Sequence, residues 1–312
     1  MKVGLHANQL DHRGNSTVIY DYAHALKNVL GYEPFIISSK TSTHPIQKFS
    51  EFGYKLYDSP EEIPSIVDNE KIDVLYMTKA GNKDNITPKN CKTGIHCVFD
   101  MREKHGTVYA GVSEWLAKFY EQTLWVPHII NVDKTTETLH DELGISKNDF
   151  VIGRLGGYDQ FDIGFVHNSI FNAVNQREDL WAIFLNTRPF CDHPRVKFIP
   201  FNPDPKYKGK FINTCDAMIH ARSDGETFGL AVAEFSSMNK PVMTYDAPYW
   251  WYMKSHLDIL GDKAIKYKNE EELNVYLRDI NKEYVMDVDW DCYSKVFTPK
   301  NVINKFKEVF LS

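Results

Sequence analysis

The strongest constraint on the fold is an alternation of short apolar segments with amphipathic helices that starts twice along the chain. Where the pattern first occurs, it has an apolar segment at residues 3–5, a helical apolar stripe at 18–30 and a second apolar segment at 34–37. Ser16 or Asn15 is expected to cap that helix. The pattern begins again with an apolar segment at residues 150–152. This order of strand, loop, helix and strand predicts parallel, doubly wound sheets.

Further short apolar segments extend both halves. They predict strands at residues 74–77, 95–98, 108–112, 182–185, 196–199, 217–220, 242–245 and 264–267. The chain has 312 residues, more than one core usually covers, so two domains of about 150 residues are expected. We predict an N-terminal Rossmann-like domain at 1–135, a second at 136–295, and a C-terminal helix at 296–312 that packs on the first. The expected fold class is α/β, with both domains facing a central cleft.

Composition limits the class of protein. Hydrophobic residues make up 43% and charged residues 25%, as in ordinary soluble globular proteins. The formal net charge is −6, which argues against a general nucleic-acid binder. The five cysteines have no paired spacing, so reduced thiols are expected. The first residues lack a signal-peptide core, and no apolar run reaches about 18 residues. A cytoplasmic location is therefore predicted.

The segment 223–234 carries the clearest chemical signal. It places the carboxylates of Glu226 and Glu234 eight residues apart across a loop-to-helix junction. Gly225 and Gly229 allow a ligand to approach the backbone, and the amides of a helix's first turn suit a phosphate. If the segment is largely helical, the two glutamates lie about 12 Å apart, at about 1.5 Å per residue. That distance is of the order separating the sugar and the ribose of a sugar nucleotide, so the segment suggests sugar transfer.

These residues resemble a known family. The pair Glu226 and Glu234 matches the E-x7-E signature of group 1 glycosyltransferases, which form sequence family 4 and have the GT-B fold. Asp216 and the segments 228–230 and 240–242 extend the match. Weaker similarity occurs in the same order along the chain, at residues 112–116, 126–130, 143–155 and 297–299. The resemblance covers about residues 95–312, and the E-x7-E block is its most specific part.

The resemblance implies retaining transfer from a nucleotide sugar, with a UDP- or GDP-sugar as the expected donor, without a metal or another cofactor. Glu226 would bind hydroxyls of the donor sugar, Glu234 would bind the ribose, and Arg154 would belong to a diphosphate clamp. His96 would face the sugar from the first domain. The implied catalytic residues are thus Glu226, His96 and Arg154. The implied donor-binding residues are Gly14, Gly153, Thr227, Phe228, Gly229, Leu230 and Glu234.

The chain departs from the family pattern at two places. The lysine that usually follows the clamp arginine by five residues is replaced by Asp159, which leaves diphosphate charge less compensated. Arg188, Arg222 or Lys208 are the candidate substitutes. The N-terminal loop keeps only residues 13–15 of its glycine-rich pattern. The expected partners are the donor and a glycan, lipid-linked or small-molecule acceptor, with no nucleic acid and no transmembrane segment.

The three implied catalytic residues also have purely structural interpretations. His96 could be a core histidine, Arg154 a surface arginine, and Glu226 a carboxylate favoured by the helix dipole. Residues 249–252 could stack on a ligand or form a packed loop. The alternative functions are a sugar-nucleotide epimerase or hydrolase on the same fold, and a catalytically silent nucleotide- or carbohydrate-binding protein. A Rossmann oxidoreductase is disfavoured because neither glycine loop reads G-x-G-x-x-G.

Overall fold

The computed structural model describes residues 1–11, 14–42, 46–84 and 86–312. Its strands are β1 (Lys2–Ala7), β2 (Glu33–Ser39), β3 (Gly53–Tyr57), β4 (Val74–Lys79), β5 (Lys92–Cys97), β6 (Val108–Gly111), β7 (Phe150–Leu155), β8 (Leu180–Leu185), β9 (Val196–Ile199), β10 (Ala217–His220), β11 (Gly225–Glu226), β12 (Val242–Tyr245), β13 (Met253–Lys254) and β14 (Ala264–Tyr267).

The α-helices lie between these strands and after the last of them. They are α1 (Gly14–Asn28), α2 (Ile63–Asn69), α3 (Glu114–Phe119), α4 (His140–Leu143), α5 (Gly164–Gln176), α6 (Pro205–Thr214), α7 (Leu230–Ser237), α8 (Ser255–Leu260), α9 (Glu270–Asp279), α10 (Lys282–Val285) and α11 (Pro299–Phe306). A π-helical turn, Lys307–Leu311, follows α11 directly.

The chain forms two compact units. Unit 1 comprises Met1–Asn131 together with Val296–Ser312, and unit 2 comprises Val132–Lys295. Within the described residues, unit 1 contains a six-stranded sheet in the order β3-β2-β1-β4-β5-β6, and every adjacent pair is parallel. Parallel sheets bury both faces, and β1, β4 and β5 are accordingly buried along nearly their whole length.

The C-terminal helix is built into the core of unit 1. Phe306 on α11 lies 5.0 Å from both Tyr22 on α1 and Tyr76 on β4, measured between ring centroids. Phe310 in the π-helical turn packs 5.4 Å from Tyr76. Thr298 caps α11 by accepting a hydrogen bond from the amide of Asn301 at 3.1 Å. The last segment of the chain therefore completes the first unit's apolar core.

Unit 2 repeats the architecture. Its main sheet, six-stranded within the described part of the chain, has the order β14-β12-β10-β7-β8-β9 and is parallel throughout. The chain proceeds from β7 to one side through β8 and β9, then returns to the other side of β7 with β10, β12 and β14. The direction of winding thus changes between β7 and β10. The two parallel sheets with their helices confirm the predicted α/β fold class.

Several details differ from the sequence-based expectations. Helix α1 begins at Gly14, so Ser16 lies inside the helix instead of capping it, and its hydroxyl accepts a hydrogen bond from the amide of Asp11. Strand β7 continues to Leu155, so it extends three residues beyond the apolar segment 150–152 from which it was predicted. The short parallel ladder of β11 and β13 was not predicted either, because two-residue strands leave no periodic pattern.

Candidate functional site

The candidate site lies where the winding of the unit 2 sheet reverses. Strands β7 and β10 pair directly, with Ala217 opposite Ile152 and Met218 opposite Gly153. Crossover connections leave these two strands in opposite directions, which opens a crevice at their carboxyl ends, and ligands of doubly wound sheets bind in such crevices. Arg154 lies near the carboxyl end of β7, and His220 is the last residue of β10.

Glu226 is placed by the two-stranded ladder. Gly225 pairs with Met253 and Glu226 pairs with Lys254, and the amide of Met253 donates to the carbonyl of Asp224 at 3.0 Å. Gly225 has a φ of +73°, and a Cβ atom at this position would collide with the backbone of Met253. Glycine is therefore required for both the backbone conformation and the close approach of β13.

Replacing Gly225 by alanine is expected to destabilise the protein by about 2–4 kcal/mol, because the left-handed φ and the collision with β13 both add strain. Urea unfolding followed by circular dichroism measures the loss. Gly144→Ala is the matched control: Gly144 has a φ of +68°, yet its Cβ would meet nothing within 4 Å. This control should lose only about 1 kcal/mol. Equal losses in the two variants would contradict the assigned role of β13.

The carboxylate of Glu226 is held on both oxygens. Arg222 Nη1 donates to Oε2 at 3.0 Å, and His220 Nε2 lies 3.3 Å from Oε1. Burial alone would raise the pKa of Glu226, but the His220 hydrogen bond and the charge of Arg222 outweigh it and lower that pKa to about 2. The side chain is 20% exposed. Glu226 is thus a fixed anion with some of its acceptor capacity still open to solvent.

Arg154 organises two neighbouring turns. Its Nη1 donates to the hydroxyl of Thr187 at 2.6 Å and to the carbonyl of Asn186 at 3.3 Å, while Nη2 donates to the carbonyl of Gly157 at 2.8 Å. The residue is only 4% exposed, and burial lowers its pKa to about 10, so the guanidinium stays charged at neutral pH. Arg154 therefore ties the glycine turn after β7 to the turn after β8.

Helix α7 begins between the two signature glutamates. Gly229, with a φ of +83°, precedes the helix, and the first helical hydrogen bond runs from the amide of Ala233 to the carbonyl of Gly229 at 2.9 Å. The amides of Leu230 and Ala231 therefore lie in the first turn, ahead of the hydrogen-bonded part of the helix. The segment from Glu226 to Gly229 is not helical, so the 12 Å helical spacing expected from sequence does not apply to it.

Glu234 lies on α7 and is buried, yet it is paired. Lys208 Nζ on α6 contacts its Oε1 at 2.5 Å. One ammonium contact uses only part of the acceptor capacity of a carboxylate, which is about four lone pairs. Both glutamates of the signature thus stand beside a cation within unit 2.

Asp159, which stands where the family pattern has the clamp lysine, also has a charged partner. Asp159 accepts a hydrogen bond from Arg188 Nε at 2.7 Å, and both side chains are more than 60% exposed. Arg222 and Lys208, the other two candidate substitutes, contact Glu226 and Glu234 respectively. Positive charge is therefore present beside Asp159 and beside each signature glutamate.

The remaining residues expected at the site have different surroundings. Gly153 lies inside β7, where a Cβ would collide with Cys215 Sγ, so its lack of a side chain serves packing. Thr227 and Phe228 are both buried. Gly14, in unit 1, is the exposed first residue of α1, and Arg13 beside it lies outside the described residues.

His96 is buried in the core of unit 1. Its Nδ1 lies 2.6 Å from the hydroxyl of Tyr76, and its Nε2 lies 2.8 Å from the carbonyl of Val126. Phe310 packs against the ring at 5.5 Å. Burial lowers its pKa to about 4, which keeps the imidazole neutral. These contacts support the core interpretation of His96, and both ring nitrogens are engaged by protein atoms.

Several residues around Glu226 were not identified from sequence. Asp162 accepts hydrogen bonds from the hydroxyl and the amide of Ser223, at 2.6 and 2.8 Å, and so fixes the loop that leads to Glu226. His220, Thr244 and His256 form a further hydrogen-bonded group next to the carboxylate. The polar ends of the apolar strands, His220 and Thr244, were the available sequence signal.

Two further findings concern metals and membranes. Across residues 1–11, 14–42, 46–84 and 86–312, no group of three or more histidine, cysteine, aspartate or glutamate side chains is arranged to hold a metal ion. Asp289, part of an Asp-x-Asp sequence, pairs with Lys263 at 3.4 Å. No helix within the described ranges combines the length and the apolar character needed to cross a membrane.

Solved structures share this architecture over nearly the whole chain. A glycosyltransferase from Rickettsia africae ESF-5 aligns with a TM-score of 0.67 and 14% identity, over 98% of this chain and 94% of that chain. Anabaena Alr3699/HepE in complex with UDP-glucose also gives a TM-score of 0.67, with 15% identity over 99% and 95%. The chain has the GT-B glycosyltransferase fold.

The likeness extends to a second class of enzyme. A putative UDP-N-acetylglucosamine 2-epimerase from Listeria monocytogenes aligns with a TM-score of 0.62 and 13% identity, over 99% of this chain and 96% of that chain. At such identities the GT-B likeness concerns the fold, and activity has to be argued from the site. Comparisons with protein-family models and with curated proteins find no match.

Proposed function

We propose that this GT-B protein is a retaining, metal-independent glycosyltransferase that moves a sugar from a nucleotide sugar to an acceptor. One observation carries the proposal: Glu226 and Glu234 flank the amide end of α7 at the switch point of the unit 2 sheet. A helix start suits a diphosphate, and carboxylates suit the hydroxyls on its two sides.

In this proposal Glu226 accepts hydrogen bonds from hydroxyls of the donor sugar, and Glu234 accepts them from the ribose. The amides of Leu230 and Ala231 contact the diphosphate. When the bond to the sugar breaks, negative charge grows on the leaving diphosphate, and prepositioned amides and cations stabilise it. Arg222 and Lys208 hold positive charge beside the two glutamates, which compensates in part for the lysine replaced by Asp159.

Arg154 has a supporting role in the proposed mechanism. Because it donates to Thr187, Asn186 and Gly157, it holds the turns that border the crevice. Its charge also acts on the diphosphate through a medium of low polarity, where electrostatic effects are stronger than in water. His96 is left out of this mechanism because both of its ring nitrogens contact protein atoms inside unit 1.

A panel of sugar nucleotides tests the proposal. UDP-glucose, GDP-mannose, ADP-glucose and a CDP-sugar are compared by thermal shift, and UDP-glucose is placed first because the Anabaena neighbour was solved with it. A true donor at about 100 times its dissociation constant should add about 2.7 kcal/mol to the free energy of unfolding. Added EDTA should leave that gain intact. No gain with any member of the panel would contradict the proposal.

The epimerase neighbour supports one alternative activity on the same site. An epimerase or hydrolase would convert the sugar nucleotide without an acceptor, whereas a transferase would release nucleoside diphosphate only when an acceptor is present. A silent binding protein would give a thermal shift and no turnover in either condition. Product analysis by mass spectrometry, with and without an acceptor mixture, separates the three.

A further inference from the structure

Glu226 stands at one end of a buried chain of hydrogen bonds. His220 Nε2 lies 3.3 Å from Glu226 Oε1, and His220 Nδ1 lies 2.9 Å from the hydroxyl oxygen of Thr244. The same hydroxyl oxygen lies 3.0 Å from His256 Nε2. The chain of hydrogen bonds thus runs from the signature glutamate through residues of β10 and β12 to α8.

Only certain atoms of this hydrogen-bonded chain can carry the protons. A carboxylate only accepts hydrogen bonds, so the contact between His220 and Glu226 requires a proton on His220 Nε2. His220 Nδ1 then needs a donor if the ring is neutral and an acceptor if the ring is charged. The hydroxyl of Thr244 can be either, because it has one proton and two lone pairs. A valine at this position would fill nearly the same space and offer neither.

The members are fixed by their surroundings. Thr244 and His256 are fully buried, and the rings of His220 and His256 lie 4.9 Å apart. Tyr267 on β14 donates to the backbone carbonyl of His220 at 2.7 Å. Burying polar atoms is costly unless each is paired. Apolar side chains of the same volume would fill this space without that cost. What the polar trio supplies is a defined donor aimed at one oxygen of Glu226.

Arg222 complements this arrangement from the other side. It donates to Oε2, whereas His220 faces Oε1, so the plane of the carboxylate is set by two different partners. A carboxylate held in this way presents its remaining lone pairs in fixed directions. Fixed acceptors of this kind improve recognition of hydroxyls because little orientational freedom is lost on binding.

We propose that His220, Thr244 and His256 are positioning residues that orient Glu226 for recognition of the donor sugar. The inference rests on the proposed function of Glu226. Thr244 and His256 lie behind His220 in the buried hydrogen-bonded chain, so they act through the carboxylate of Glu226. They therefore contribute to binding of the sugar part of the donor and not to binding of its nucleotide part.

The first test needs no ligand. Long-range nitrogen-15 NMR of the histidine rings in the whole protein reports which ring nitrogen carries the proton. We expect a protonated Nε2 on His220, signals of His220 and His256 that both change in Thr244→Val, and near wild-type signals in Thr244→Ser. An unprotonated Nε2 on His220, or unchanged spectra in Thr244→Val, would overturn the proposed chain.

The second test measures binding by calorimetry. The sugar nucleotide that gives the largest shift in the panel is compared with its own nucleoside diphosphate. Thr244→Val should weaken binding of the sugar nucleotide about five- to tenfold, the effect of about one hydrogen bond, while binding of the nucleoside diphosphate changes less than about twofold. Thr244→Ser should restore the wild-type affinity.

The outcomes separate the inference from the function beneath it. Equal weakening of both ligands in Thr244→Val would indicate general disruption, and unchanged binding of both would remove Thr244 from donor recognition. Either result overturns the inference. The proposed function still stands in that case if the wild-type protein binds the sugar nucleotide. If the wild-type protein binds no sugar nucleotide, the proposed function fails, and the role in donor recognition fails with it.

Discussion

Replacing Glu226 by glutamine is expected to lower kcat/KM for sugar transfer by at least about 100-fold. Glutamine keeps the shape of the side chain but removes the negative charge that Arg222 and His220 contact. Its amide also offers one acceptor oxygen where the carboxylate has two, so it cannot reproduce the hydrogen bonds to sugar hydroxyls. Initial rates of nucleoside diphosphate release, at several donor concentrations, measure the effect.

The fold should survive this change. Circular dichroism and the unfolding midpoint check that the variant is native, although some loss of stability is expected because Arg222 loses its charged partner. Glu270→Gln is the control, since Glu270 is an exposed acidic residue in the first turn of α9 in the same unit. It should retain wild-type turnover. Full activity of Glu226→Gln would remove Glu226 from the mechanism.

Replacing Arg154 by leucine is expected to lower the free energy of unfolding by about 2–4 kcal/mol. The change leaves the buried hydroxyl of Thr187 and the partly buried carbonyls of Asn186 and Gly157 without their guanidinium donor. It also releases the glycine turn from the turn after β8, so binding of the nucleoside diphosphate should weaken. Chemical unfolding and calorimetry measure the two effects.

Arg188→Leu provides the contrast for Arg154. Arg188 is a mostly exposed arginine that pairs with Asp159, and exposed ion pairs contribute about 0–1 kcal/mol. Its loss should therefore change stability little. If Arg154→Leu were as stable as Arg188→Leu, the buried hydrogen bonds of Arg154 would not hold the two turns as proposed.

The strands of the two main sheets were largely predictable from sequence, because parallel strands buried on both faces appear as continuous apolar runs. Residues 217–220 and 242–245 were predicted with the bounds that the structure gives to β10 and β12. Strand β3 at the edge of the first sheet was missed, since Gly53–Tyr57 is mostly exposed and lacks a continuous apolar run. Ser113 caps α3 as its position before an apolar helix suggests.

The candidate site was predictable only in part. Local sequence is enough to propose Glu226, Gly229 and Glu234 as candidates, because a helix start between carboxylates is a feature of consecutive residues. The contacts of these residues with Lys208, Thr244 and His256 depend on which strands and helices become neighbours, so no spacing in the sequence reveals them. The extra ladder of β11 and β13, which sets the position of Glu226, belongs to the same class of tertiary information.

Residues 249–252 show a similar limit. The sequence left open whether this aromatic run stacks on a ligand or forms a packed loop, and in the structure part of the run is buried and part is exposed. Tyr252 is buried and donates to the carbonyl of Tyr245 at 2.7 Å, whereas Tyr249 and Trp251 are exposed and stack on each other at 5.1 Å. Composition alone cannot separate neighbouring aromatic residues that differ in burial.

A crystal structure of the protein with its donor sugar nucleotide would show whether α7 and the two glutamates form the donor site. We expect the diphosphate at the amides of Leu230 and Ala231, sugar hydroxyls within hydrogen-bond distance of Glu226, and ribose hydroxyls at Glu234. A donor bound away from α7, with both glutamates still contacting only Arg222, His220 and Lys208, would contradict this expectation.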